Sequence, residues 1–294
     1  MSEIRIDALL PAEMATRAEY LGVRKAEMPA LKTFVLAVLA GAFISLGAIF
    51  ATVVATGTFT LTQPDGQVVS IALPYGIQRL QMGLVFCLGL LLVVVGGAEL
   101  FTGNNLIVMA WASRKITTRA LLRNWIIVYA GNFVGAFGTA ILNFLTGQYW
   151  MAKGGVGVTA LNIALNKVQL DFFQALMLGI LCNALVCLAV WMTYSARSVI
   201  DKVIVIFLPI SAFVAAGYEH SIANMYFIPY ALLIKAFDPQ FLQSVAGKVA
   251  SLEPLTWGNF LLRNLLPVTI GNIIGGSVLV ALVYWLVFLR KSSE

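Results

Sequence analysis

The spacing of charged residues constrains this chain more than any other feature. Four stretches, 33–64, 124–152, 172–196 and 264–289, contain no Asp, Glu, Lys or Arg. Two more, 80–113 and 203–234, are each interrupted by one acid, Glu99 and Glu219. The second acid is followed by the only histidine in the chain, His220. About 20 apolar residues span a bilayer as a helix, so each stretch predicts one crossing. The expected fold is therefore all-α and polytopic, with six transmembrane helices. Composition agrees. The chain is 60% hydrophobic and 11% charged, where a soluble domain carries about 25% charged residues. A net charge of +6 would suggest nucleic acid in a soluble chain. Here it reads as membrane topology, and no nucleic-acid partner is expected. Cys87, Cys182 and Cys187 all lie in apolar stretches and read as packing residues.

Lys and Arg mark cytoplasmic loops. Thirteen of them fall in the N-terminal tail (Arg5, Arg17, Arg24, Lys25, Lys32), the second and fourth loops, and the C-terminus (Arg290, Lys291). Six, namely Arg79, Lys153, Lys167, Lys235, Lys248 and Arg263, fall on the other side. Both termini are therefore expected in the cytoplasm. Residues 1–32 read as a cytoplasmic segment with some amphipathic character, lying on the membrane surface or against a neighbouring subunit. Residues 33–294 read as one transmembrane channel domain. In the first outer loop, polar and apolar residues alternate around Pro64-Asp65-Gly66, which predicts a β-hairpin over 58–72.

The chain repeats itself. G-A-E-L-F-T-G-N at 97–104 matches G-Y-E-H-S-I-A-N at 217–224 as G-x-E-x-x-x-x-N. N-W-I-I-V-Y-A-G-N-F-V-G at 124–135 matches N-L-L-P-V-T-I-G-N-I-I-G at 264–275. Two matches in the same order divide the chain into halves of three spans, about 33–146 and 172–289. An odd number of spans inverts the second copy, an architecture that places a transport site near the midplane. A charge in the centre of a membrane helix costs roughly 2.5–3.5 kcal/mol on insertion scales. Glycine is a poor helix former. Spans two and five are thus expected to break at Gly97 and Gly217. Glu99 and Glu219 would accept hydrogen bonds from the freed backbone N–H groups, with Asn104 and Asn224 satisfying others. Gly97, Gly131, Gly135, Gly217, Gly271 and Gly275 suit close helix packing. His220 differs, because its counterpart is Leu100. Thr102, opposite Ile222, is the other asymmetric polar group. These two are the candidates for the chemistry at the centre.

At these residues the sequence resembles the formate/nitrite transporter family. The resemblance is carried by 97–104, by C-N-A-L-V-C-L-A-V-W-M-T-Y-S-A-R-S at 182–198, by G-Y-E-H-S-I-A-N-M at 217–225 and by L-P-V-T-I-G-N-I-I-G-G at 266–276. It implies an aquaporin-like subunit, a homopentamer with one pore per subunit, and passage of formate, nitrite or hydrosulfide through a bacterial-type inner membrane, with lipid around the outside. It also implies roles. His220 is the central histidine and Thr102 its threonine neighbour. Leu90, Leu100 and Phe213, with Phe86 nearby, are the apolar constrictions. Lys167 is the outer-funnel lysine. Asn183 and Asn272 line the pore, and Glu219 and Asn224 stand close to the histidine. S-A-R-S-V-I-D-K and the following L-P-I look like formate channels, whereas Gly103-Asn104 after Thr102 points towards the nitrite branch. The expected activity is passive or proton-coupled passage of formate, with a hydrogen bond or a proton from His220. Nitrite or hydrosulfide is the alternative.

Other classes fit poorly. A rhomboid-like protease needs its serine before its histidine, but Ser277 follows His220 and Ser221 adjoins it. One histidine cannot supply bis-histidine haem, and no H-E-x-x-H motif exists, so no cofactor or metal is expected. A water or glycerol channel would carry an N-P-A pair, which is missing.

Overall fold

A computed structural model of the chain describes residues 8–290. Residues 1–7 and 291–294, with Arg5 and Lys291 of the charge pattern, lie outside the described residues. Among the described residues, six helices are long and apolar enough to cross a membrane. In chain order, α1 (Pro11–Glu27) precedes the first span, α2 (Ala30–Ala55). The hairpin follows, with strands β1 (Thr58–Thr62) and β2 (Val68–Ala72) paired antiparallel so that Phe59 faces Ile71 and Leu61 faces Val69. Span two begins as α3 (Tyr75–Gly96) and resumes as a 3₁₀ turn over Gly103–Ile107 and a short α4 (Val108–Ala112). Then come α5 (Thr118–Leu145), α6 (Gly155–Val168) and α7 (Phe172–Thr193). Span five is α8 (Val199–Ala216) and α9 (Ser221–Phe237). After the short α10 (Pro239–Ser244), the last span, α11, is continuous over Asn259–Phe288, with π-type stretches at Asn259–Leu265 and Ile274–Leu282.

Both interrupted spans stop in the same way. Gly97 (φ 75°) and Gly217 (φ 78°) take the left-handed conformation, which only glycine adopts freely. The next residue then folds back. The Ala98 N–H donates to Val93 O at 2.9 Å and the Tyr218 N–H to Phe213 O at 3.0 Å. Such a bond to the carbonyl five residues back closes a helix C-terminus and satisfies one of its orphan acceptors.

The expected glycine packing is present at four of the six positions, two in each half; Gly97 has nothing within 4 Å of its would-be Cβ and Gly217 only the Arg79 side chain, because both sit at the breaks rather than between helices. A Cβ on Gly135 would lie 1.9 Å from Val38 O on α2, and one on Gly131 2.6 Å from Ala37 Cβ. A Cβ on Gly275 would lie 2.1 Å from Ile180 O on α7, and one on Gly271 2.3 Å from Leu176 O. Helices α5 and α11 thus touch α2 and α7 backbone to backbone, as small residues allow in membranes.

The first helix docks on its own chain, against the re-entrant segment 103–112 and α5. Ala15, Ala18, Gly22 and Ala26 form its buried face. Glu19 pairs with Lys115 of the following loop.

Gly135→Ala is expected to lower the thermal midpoint of the detergent-solubilised protein, at a cost of about 1–3 kcal/mol for overpacking. Gly138, one turn further on with nothing within 4 Å of its would-be Cβ, should tolerate alanine without loss. Equal effects at the two positions would contradict the packing.

Candidate functional site

Each break is held by a frame built from distant segments. At the first, the Glu99 carboxylate accepts from Lys25 Nζ at 2.7 Å and from Asn104 Nδ2 at 2.7 Å. Lys25 Nζ also donates to Asn104 Oδ1 at 3.0 Å, and Asn104 Nδ2 to Asn124 Oδ1 at 3.0 Å. Asn124 Nδ2 returns to the Lys25 carbonyl at 3.1 Å. At the second, the Glu219 carboxylate accepts from Lys167 Nζ at 2.7 Å, Asn224 Nδ2 at 2.7 Å and Asn264 Nδ2 at 3.1 Å. Asn264 Oδ1 accepts from Asn224 at 2.7 Å, and Asn264 Nδ2 returns to the Lys167 carbonyl at 3.0 Å. Lys25, Glu99, Asn104 and Asn124 thus repeat as Lys167, Glu219, Asn224 and Asn264.

The freed backbone groups are satisfied by a second pair of amides. Asn132 Nδ2 donates to Ala37 O at 2.7 Å and Glu99 O at 2.9 Å, while its Oδ1 accepts the Phe101 N–H at 2.9 Å. Asn272 does the same with Gly179 O at 2.8 Å, Glu219 O at 3.0 Å and the Ser221 N–H at 2.9 Å. The division of labour differs from the expected one. The carboxylates bind side-chain amides and an ammonium, and Asn132 and Asn272 tie down the backbone. A buried acid needs charge and donors at once, and a lysine supplies what two backbone N–H groups cannot.

His220 stands at the second break as the N-cap of α9. Its Nδ1 accepts the Ala223 N–H at 3.1 Å. A ring nitrogen that accepts carries no proton, so the hydrogen of the neutral imidazole lies on Nε2. Nε2 is 3.0 Å from Thr102 Oγ1, so the Nε2–H donates to the hydroxyl. Both side chains are buried, at 3% and 0% exposure. The two asymmetric polar residues of the sequence therefore meet. The ring of His220 stacks on Phe213, with centroids 5.9 Å apart, and Phe213 meets Phe86 edge-on at 5.7 Å.

Two cavities flank this pair. One, of about 250 Å³, lies beside α1 and is lined by Lys25, Leu90, Glu99, Leu100 and Asn104. The other, of about 200 Å³, lies beside α6 and is lined by Arg79, Phe86, Lys167, Phe213, Glu219 and His220. Helix α3 runs from the second cavity at Arg79 to the first at Gly97, so the two sit at opposite ends of the span. Leu90 and Leu100 line the first cavity and Phe86 and Phe213 the second, all at 2–3% exposure. Asn183 lines neither cavity. It is buried, and its Nδ2 donates to Thr102 O at 3.2 Å and Asn272 O at 2.7 Å, which fixes the loop that carries Thr102.

Sequence reasoning overlooked Lys25, Asn124, Asn264 and Arg79. The asparagines open the second repeated motif, and Lys25 precedes the first span as Lys167 precedes the fourth, so a longer comparison of the halves would have found three of the four. Lys167→Met should strand the Glu219 charge and cost about 3–5 kcal/mol, as loss of one partner of a buried pair does. Adding Glu219→Gln should recover part of that loss in thermal unfolding. A double variant as unstable as the single one would contradict the pairing.

Comparison with known proteins places the chain. The sequence model described as formate/nitrite transporter matches residues 12–286. The chain is 48% identical over 289 residues to the formate channel FocA of Escherichia coli (strain K12), covering 98% of this chain and 97% of that one. It is 40% identical to the formate channel FocA of Haemophilus influenzae, covering 92% of each. A solved pentameric formate channel with formate bound superposes with a TM-score of 0.79 at 45% identity, over 89% of this chain and 98% of that chain. An FNT family ion channel superposes with a TM-score of 0.75 at 26% identity, over 94% and 98%. With one interrupted-helix fold along its length and these matches across nearly all of it, the chain belongs to the formate/nitrite transporter family of membrane channels and transporters.

Proposed function

We propose that this protein passes formate through a pore in each subunit, with His220 donating a hydrogen bond to the anion halfway across. The contact between His220 and Thr102, buried between two cavities at opposite ends of the span, carries this reading. Moving a bare monovalent anion into an apolar constriction costs tens of kcal/mol by Born solvation. Leu90, Leu100, Phe86 and Phe213 therefore form barriers against hydrated ions. Between them the Nε2–H of His220 turns from Thr102 Oγ1 to one oxygen of the anion. The freed hydroxyl of Thr102, whose hydrogen rotates, donates to the other. Two donors match a two-oxygen anion. A neutral imidazole leaves no fixed charge at the centre, so the anion binds well enough to enter and weakly enough to leave.

A proton route is costlier. A second proton must sit on Nδ1, where it would face the Ala223 N–H and break the cap of α9, a loss of about 1 kcal/mol before any charge is buried. Formate is favoured over nitrite by the identities to formate channels along the whole chain. Nitrite has the same two-oxygen shape and is the second reading, with hydrosulfide behind it.

The assembly follows the same reasoning. The 45% identity to a pentameric channel supports a homopentamer in lipid. The excess of Lys and Arg beside α1 and in the 114–123 loop supports a cytoplasmic position for both termini in a bacterial inner membrane. The α1-side cavity is then inner and the α6-side cavity outer. The paired frames support an inverted repeat, as does the 2.8 Å bond between Tyr129 and Thr269. These two occupy the same place in the repeated motif, and residues related by a two-fold axis touch only where it passes between them.

Proteoliposomes should take up formate faster than nitrite or hydrosulfide and should not swell in glycerol. His220→Asn keeps a capping oxygen for Ala223 but loses the Nε2 donor. Its thermal midpoint should hold while formate flux falls about 10–100-fold, the worth of one hydrogen bond to a charged group. Unchanged flux would refute the central role of His220.

A further inference from the structure

The two cavities differ in charge. The α1-side cavity has one cation and one acid in its lining, Lys25 and Glu99, and they pair. The α6-side cavity has Lys167 and Glu219, which pair likewise, and Arg79 in addition. Among the described residues no acid pairs with Arg79. The repeat does not account for it. Counted back from the matching glycines Gly97 and Gly217, its counterpart is Val199.

The head group of Arg79 is held firmly. Its Nε donates to Ala215 O at 3.1 Å, and its Nη2 donates to Val214 O. These carbonyls belong to the last turn of α8, where the break at Gly217 ends the run of helical donors; Val214 O also accepts the Gly217 N–H at 3.1 Å. A cation there also meets the negative end of the half-helix. Capping alone would explain a lysine or a hydroxyl as well. A guanidinium has five N–H donors in a planar fork and stays charged at any working pH. Two donors serve α8, and among the described residues no acceptor takes the others. They stand at the wall of the cavity that also holds His220.

We propose that Arg79 is an anion-recognition residue of the α6-side vestibule, whose free guanidinium edge receives a planar two-oxygen monoanion on its way to His220 and Thr102. This rests on the channel reading above. The frame explains why Lys167 does not suffice. Its ammonium is spent on Glu219, whereas Arg79 is the uncompensated charge. A fixed fork binds a two-oxygen anion by two parallel hydrogen bonds, where an ammonium offers one point of charge. The vestibule therefore selects by shape before the constriction selects by desolvation.

The test uses the full-length protein in planar bilayers, with formate added from one side at a time. Arg79→Gln should raise the half-saturating formate concentration on the α6 side about tenfold, the order of one charge-assisted hydrogen bond. The α1 side should change far less. The maximal rate should stay within about twofold, since the constriction is untouched. Arg79→Lys, which keeps the charge and a donor for α8, should recover only part of the affinity. It also serves if the glutamine variant does not fold. Half-saturation equal to wild type in the lysine variant would overturn the fork. A fall in maximal rate with unchanged half-saturation would reduce Arg79 to a cap of α8 and overturn the proposal. Wild-type protein that passes no formate would refute the channel reading itself, whereas wild-type flux with an unaltered glutamine variant would refute this inference alone.

Discussion

A helix cannot stop inside a membrane without a partner for every backbone group it releases, and each group left bare in hydrocarbon costs several kcal/mol. This chain stops two helices there. Asn132 and Asn272 each bind one released carbonyl and one released N–H, and spend the second amide hydrogen on a carbonyl of the neighbouring helix, Ala37 O of α2 or Gly179 O of α7. Those amides stay in place because α5 and α11 press against α2 and α7 through glycines. The carboxylates of Glu99 and Glu219 then draw the flanking chain inwards, and Lys25 and Lys167 neutralise them. The first of these cations comes from α1, so the segment before the first span is part of the frame.

The proposed function sits in the departures from this symmetry. The repeated residues give two matching supports with a gap between them. Into the gap project His220 where the other half has Leu100, and Thr102 where it has Ile222. The same break that exposes the start of α9 gives His220 its task as a cap. The cap fixes which ring nitrogen carries the hydrogen and where that hydrogen points. Scaffold and chemistry thus share one residue, which ties the orientation of the donor to the integrity of the helix. Arg79 is a third departure. It closes the end of α8 as His220 opens the start of α9, and it leaves one cavity more positive than the other.

Much of this was legible in the sequence because membrane helices obey a length rule and a charge rule. Four charge-free stretches and two with a single acid marked six spans, though α2 ends at Ala55 and the run 33–64 continues into β1. The alternation around Pro64-Asp65-Gly66 gave the hairpin, since a turn and a two-residue period are local. The G-x-E pair located both breaks. What stayed hidden depends on contacts between distant segments. Glu99 finds Lys25 74 positions away, and Glu219 finds Lys167 52 away. Nothing local to Glu99 or Glu219 announces that its partners are side chains rather than the freed N–H groups. Asn183 looked like a pore residue, yet it faces the loop behind Thr102. The tautomer of His220 could not be read from sequence at all, because it is set by one backbone N–H three residues on.

The central claim is that His220 is a neutral imidazole with its hydrogen on Nε2, held by a bond to Nδ1. Because it is the only histidine in the chain, selective ¹⁵N labelling gives a spectrum of this side chain alone. In the membrane-reconstituted protein at neutral pH, one proton-bearing nitrogen should correlate with Cε1 and Cδ2 as Nε2, and the other should show the shift of an acceptor. Protons on both nitrogens, or a single proton on Nδ1, would contradict the account.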